Sequence, residues 1–91
     1  MHDFDGLQKI IRGGEQQVSV GGVYTHYRNP NQLYKVLAIA LDEVTDQPCV
    51  VYQALYGDKL IWIRSVEIWC GSIEYEGKMV PRFIKKLNCE V

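Results

Sequence analysis

Tyrosine, histidine, tryptophan and arginine recur at alternate positions inside otherwise apolar stretches of this chain. Tyr24, His26 and Arg28 alternate in one stretch, Tyr52 and Tyr56 share the parity of a second, and Leu60, Trp62 and Arg64 share that of a third. Alternate residues of an extended chain point to one face. Each set can therefore present rings and guanidinium groups together, which hold ligands by stacking and cation–π contact. Tyr24, His26, Tyr52, Trp62 and Arg64 form the candidate ligand-binding set. The competing reading places the rings in the core with their polar tips satisfied, and it takes precedence for Tyr34 and Trp69. Arg64 cannot be buried unpaired at low cost, so it points to solvent, lies on an aromatic wall or pairs with a carboxylate such as Glu67.

Other chemistry is sparse. His26 titrates near neutrality when unperturbed and could act as a general base. A strand histidine is more often simply hydrogen-bonded to a neighbour. No nucleophile elbow, phosphate-binding loop or zinc-protease motif occurs, so no catalytic residue is assigned. Cys49, Cys70 and Cys89 have spacings that match no metal or redox motif. A zinc site built from them with His2 and His26 is not expected, nor is any other cofactor. Glu67, Glu74 and Glu76 read as a solvated edge, and Arg82, Lys85 and Lys86 as a basic, solvated tail.

Composition narrows the class. The 91 residues carry 10 Lys+Arg against 11 Asp+Glu, a formal charge of −1. That balance lacks the basic excess of a non-specific nucleic-acid binder or a polybasic membrane-surface protein. The longest apolar run, residues 36–41, is far too short to span a bilayer. The acidic start, Met1-His2-Asp3-Phe4-Asp5, has no signal-peptide pattern. Free thiols then suggest the cytoplasm.

The elements that must position these residues follow from period and turn chemistry. Phe4, Leu7, Ile10 and Ile11 have helical spacing, with Asp3 or Asp5 as cap, and Gly13-Gly14 is expected to end the helix. Val18-Ser19-Val20 begins a period of two. Strands are expected over residues 23–28, 33–41, 49–56 and 60–64, with a turn at residues 29–32, a loop at 42–48 and a tight hairpin at Gly57-Asp58. Val66 to Trp69 reads as a short helical turn, and Ile73–Tyr75 and Met79–Val80 flank a hairpin at Glu76-Gly77-Lys78. Pro81 belongs at an edge or strand end. The fold class is all-β: a small antiparallel barrel or roll of five or six strands with a short N-terminal α-helix. Residues 1–20 form the helical extension and 21–91 the β domain. Val36, Leu37, Ala38, Ile39, Val51, Leu55, Ile61 and Ile63 are the expected core.

Several segments resemble a bacterial family catalogued as domain of unknown function sixteen fifty-three. Gly22-Val23-Tyr24-Thr25-His26-Tyr27-Arg28 resembles its G-x-Y-x-H-Y-K/R opening, and Leu33-Tyr34-Lys35-Val36-Leu37 continues it. Val51-Tyr52-Gln53-Ala54-Leu55-Tyr56-Gly57-Asp58 matches its V-Y-x-A-L-Y-G-D core. Trp62-Ile63-Arg64 and Pro81-Arg82-Phe83 match its W-x-R and P-R-F. The resemblance covers residues 21–84 and departs at Ser65, where the family has Pro, and near Trp69. It implies an SH3-like barrel and no biochemical activity.

The expected function is a non-catalytic module whose aromatic and arginine groove receives a peptide, a nucleotide or a nucleic-acid strand. Two alternatives stay open: a small enzyme using His26, and a dimerising or structural subunit, for which the apolar fraction and Trp69 beside Cys70 speak. A homodimer is compatible with either.

Overall fold

The computed structural model describes residues 4–86. The expectations for His2, Asp3, Cys89 and the chain ends concern residues outside that range. Helix α1 (Phe4–Gln17) precedes strands β1 (Val23–His26), β2 (Asn29–Leu41), β3 (Pro48–Ala54) and β4 (Ile61–Ser65). Helix α2 (Val66–Trp69) and strands β5 (Ser72–Tyr75), β6 (Lys78–Pro81) and β7 (Phe83–Lys85) follow. Strand is the predominant secondary structure of the described residues, all their pairings are antiparallel, and the arrangement is a roll rather than a closed barrel. The large sheet runs β4-β3-β2-β1-β7, and β5-β6 forms a separate hairpin. None of the described helices is long and apolar enough to cross a membrane.

Helix α1 continues through Gly13-Gly14 to Gln17, beyond its expected end. Its apolar stripe runs on at helical spacing through Ile11, Gly14 and Val18, and packs on β2 and β3. Gly14 is buried where the helix backbone comes closest to the sheet. A Cβ there would lie 2.9 Å from Ile39 Cγ2 and 3.5 Å from Val66 Cγ2. The glycine is thus a close-approach residue, not a terminator. Val18 N–H still donates to the Gly14 carbonyl at 2.9 Å, so residues 18–20 form a turn and not the start of a strand.

Three further expectations are corrected. The β1–β2 turn is at Tyr27-Arg28, because His26 pairs with Asn29, and the Asn-Pro segment lies at the exposed start of β2. Residues 83–85 form a strand on β1, with Lys85 Nζ donating to Ser19 Oγ at 3.0 Å, so this basic segment is no tail. Strand β2 carries a bulge between Val36 and Ala38. An extra residue reverses the parity that follows, so Val36 and then Ile39 face inward, while Leu37 and Ala38 are exposed.

The core is Val18, Tyr24, Val36, Ile39, Val50, Tyr52, Val66, Trp69 and Phe83, between the two helices and one face of the large sheet. Of the expected core only Val36 and Ile39 are buried. Val51 and Leu55 are half-buried, and Leu37, Ala38, Ile61 and Ile63 are exposed, the last two at 60% and 61%. In β4 it is Trp62 and Arg64 that share the covered face. At Val66–Trp69 the expected helical turn forms, capped by Ser65, whose Oγ accepts from Ile68 N–H at 3.2 Å. Glu76 and Gly77 take φ of 53° and 81°, the left-handed pair of a two-residue hairpin.

Candidate functional site

Register brings the predicted residues to one face. Tyr24 pairs with Tyr34, Tyr34 with Ala54, Val36 with Tyr52, and Tyr52 with Trp62. Cross-strand partners project to the same side of a sheet. Tyr24, His26, Tyr52, Trp62 and Arg64 therefore share the face that carries the core, across four strands, or about 14 Å between β1 and β4.

Depth separates them. Tyr24 is buried, its hydroxyl accepts from Ser19 N–H at 3.0 Å, and its ring meets Trp69 edge-on at 5.3 Å. Trp69 lies flat on Phe83, with centroids 3.7 Å apart and planes 4° off parallel. Both belong to the aromatic core, and Tyr24 has a structural role. Tyr52 is buried as well, edge-on to Trp69 at 4.9 Å, yet it reaches the floor of a surface cavity. Trp62, 52% exposed, and the half-buried Arg64 form the outer wall of that cavity.

The cavity has a volume of about 250 Å³ and is lined by Tyr34, Tyr52, Tyr56, Trp62 and Arg64. A second hollow of about 200 Å³, lined by the β3–β4 loop, adjoins it and shares Tyr56 and Trp62. Tyr34 and Tyr56 are joined hydroxyl to hydroxyl at 2.5 Å. Burial, with the Tyr56 hydrogen bond added, pushes the Tyr34 phenol up to about 12, so Tyr34 keeps its proton at every physiological pH. Tyr34, expected in the core, packs against it and at the same time lines this wall.

His26 sits at the β1 end of the same face. Its Nδ1 accepts from Arg28 N–H at 3.3 Å, and its ring meets Phe83 edge-on at 5.2 Å. Burial lowers its pKa first, and the charges of Arg64, Arg82 and Arg28 lower it further. Both effects favour the neutral imidazole. No hydroxyl, thiol or carboxylate is hydrogen-bonded to it among the described residues, so nothing here forms a nucleophile–base pair. Arg64 lies with its guanidinium carbon 5.5 Å from the Phe83 centroid. No Arg64–Glu67 ion pair forms among the described residues; the aromatic wall takes the place of the carboxylate. Sequence reasoning missed Phe83 and Arg82 as neighbours of the site, because β7 was not recognised as a strand.

Metal binding has no scaffold among the described residues, where no group of three His, Cys, Asp or Glu side chains comes together. Burial raises the thiol pKa of Cys70, and of Cys49, where the Asp42 charge adds to it. Raised thiols are poor nucleophiles.

Comparison with known proteins places the chain. The family described as "Protein of unknown function (DUF1653)" matches residues 22–85. A crystal structure of a DUF1653 protein from Bordetella bronchiseptica is similar, with 32% sequence identity and a TM-score of 0.61, over 70% of this chain and 82% of that one. No curated protein matches. The matched segment contains β1 to β7 and every residue of the cavity wall; the chain belongs to the DUF1653 family.

Proposed function

We propose that the protein is a non-catalytic binding module whose groove of Tyr34, Tyr52, Tyr56, Trp62 and Arg64 receives a flat group of a peptide, a nucleotide or a nucleic-acid strand. The observation that carries this reading is the half-exposed Trp62 facing Arg64 and three tyrosines across an open cavity. A half-exposed indole next to a guanidinium gives a ring two favourable contacts, stacking and cation–π. Tyr52, backed by Trp69 and Phe83, makes a rigid floor, and pre-set side chains lose little entropy on binding. The free thiols of Cys49 and Cys70 support the cytoplasm as the compartment of action.

The enzyme reading is weaker on this geometry because, among the described residues, no nucleophile or orienting acid is hydrogen-bonded to the His26 side chain. A thermal-shift screen tests the binding reading. A ligand at 100 times its Kd stabilises by about 2.7 kcal/mol, which raises the Tm of a domain this size by roughly 10 °C or more. Hits should disappear in Trp62→Ala while the unliganded Tm stays within about 2 °C of the parent. Hits that survive Trp62→Ala and Arg64→Ala place binding elsewhere and end this reading.

A further inference from the structure

Phe83 has a charged or titratable neighbour on more than one side. His26 meets its edge, and Arg64 lies over its ring at 5.5 Å. Arg28 follows His26 in the β1–β2 turn, with its Nε donating to the Tyr27 hydroxyl at 3.0 Å and its guanidinium 5.6 Å from that ring. Arg82 immediately precedes Phe83. Its carbonyl accepts from Tyr27 N–H at 3.0 Å, and its Nε is buried without a hydrogen-bond partner. Three arginines from three separate segments, the β1–β2 turn, β4 and the residue before β7, thus act on one imidazole, and Arg64 among them lies over the phenyl ring.

None of the three makes an ion pair with a carboxylate among the described residues. The chain has more acidic than basic residues overall, yet among the described residues no carboxylate pairs with these guanidinium groups. Like charges gathered without counter-charge repel, and a buried N–H without an acceptor is costly. An acceptor-rich anion removes both penalties. Guanidinium groups suit phosphate in particular, because their planar donors meet its oxygens in pairs. Arg64 also belongs to the aromatic groove, so the anion and a ring stacked on Trp62 would be parts of one ligand. The net charge of −1 disfavours a long polyanion and favours a single phosphate-bearing unit.

We propose that Arg28, Arg64 and Arg82 form the anion subsite of the groove, and that its ligand is a nucleotide unit, phosphate at the guanidinium groups and base against Trp62. This rests on the groove reading given above. A bound phosphate reverses the field of Arg28, Arg64 and Arg82 on His26, which gives a local reporter besides Trp62.

The experiment uses the full chain and four probes: adenosine, inorganic phosphate, adenosine monophosphate and a single-stranded tetranucleotide. Trp62 fluorescence, assigned with Trp62→Phe, reads the groove. Imidazole NMR, with His26→Gln for assignment, reads the anion subsite. Adenosine monophosphate should change both signals, bind about tenfold or more tightly than adenosine, and raise the His26 titration midpoint. Arg28→Gln lies in an exposed turn and should remove that advantage without altering adenosine binding. Arg64→Gln should weaken both ligands. A tetranucleotide that binds more than about tenfold tighter than the monophosphate supports the same subsite with a strand as the source. Adenosine binding as tightly as the monophosphate overturns the anion subsite and leaves the groove standing. Phosphate moving His26 while no probe moves Trp62 overturns the nucleotide and the groove together. Silence of both reporters with all four probes does the same.

Discussion

Tyr34 and Tyr56 show how two side chains on the cavity wall set each other's chemistry. Their shared hydrogen bond and the burial of Tyr34 favour the protonated phenol, so its pKa rises to about 12. The folded chain therefore holds this proton more tightly than the unfolded chain, in which tyrosine titrates near pH 10. The linked stability is fully present below about pH 10 and is lost as pH rises towards 12. Ultraviolet titration should show one tyrosine ionising after the others, and Tyr34→Phe should remove that late step; a single transition near pH 10 in the parent would contradict the assignment. His26 works in the opposite direction. Its folded pKa is lowered, so the unfolded chain takes up the proton more readily. Stability should fall as pH drops below about 6.5, and His26→Gln should flatten that part of the Tm–pH profile.

The glycine pair of α1 separates two roles that look alike in sequence. Gly13 has nothing within 4 Å of a built Cβ, whereas Gly14 meets Ile39 at 2.9 Å. Gly13→Ala should stabilise by up to about 1 kcal/mol through helix propensity. Gly14→Ala should cost about 1–3 kcal/mol by pushing the helix off the sheet. Denaturant melts of the two variants check the signs, and equal effects would mean that the helix does not seat there. The same pair shows where the sequence could be read and where it could not. The helix over residues 4–11, the helical turn at Val66 to Trp69 and the hairpin around Glu76-Gly77 rest on local signals, and each formed. The end of α1, the bulge after Val36 and the pairing of β7 with β1 depend on contacts distant in sequence, which no local pattern reports. The site follows the same division. Parity groups Tyr24 with His26 and Trp62 with Arg64 within their strands, and register, which no local pattern reports, brings these and Tyr52 to one face. Only packing decides that Tyr24 is sealed beneath Trp69 while Tyr34 lines the groove.

At the scale of the whole molecule, the described residues cover one face of the large sheet and pair no strand with the outer side of β4. Core variants should follow that division and not the hydrophobicity of the strand. Ile39→Ala removes a side chain wedged against Gly14 and should cost about 2–5 kcal/mol. Ile61→Ala removes an exposed one and should stay within about 0.5 kcal/mol of the parent. The exposed isoleucines have a second consequence. β4 is the end strand of the large sheet, and Ala54 N–H donates to the Leu60 carbonyl at 3.0 Å. In the antiparallel alternation, Leu60, Trp62 and Arg64 then turn their backbone groups to β3, and Ile61, Ile63 and Ser65 turn theirs outward. Within Ile61–Ser65 no proline, lysine or bulge blunts this edge, and such an edge invites pairing with another strand. Ile63→Lys places a charge on it without touching the core. The variant should keep the parent Tm within about 2 °C and stay monodisperse at concentrations where the parent begins to self-associate. Sedimentation velocity across a concentration series reads this directly. If parent and variant sediment alike at every concentration, the open edge of β4 is not a contact surface and some feature of its backbone protects it.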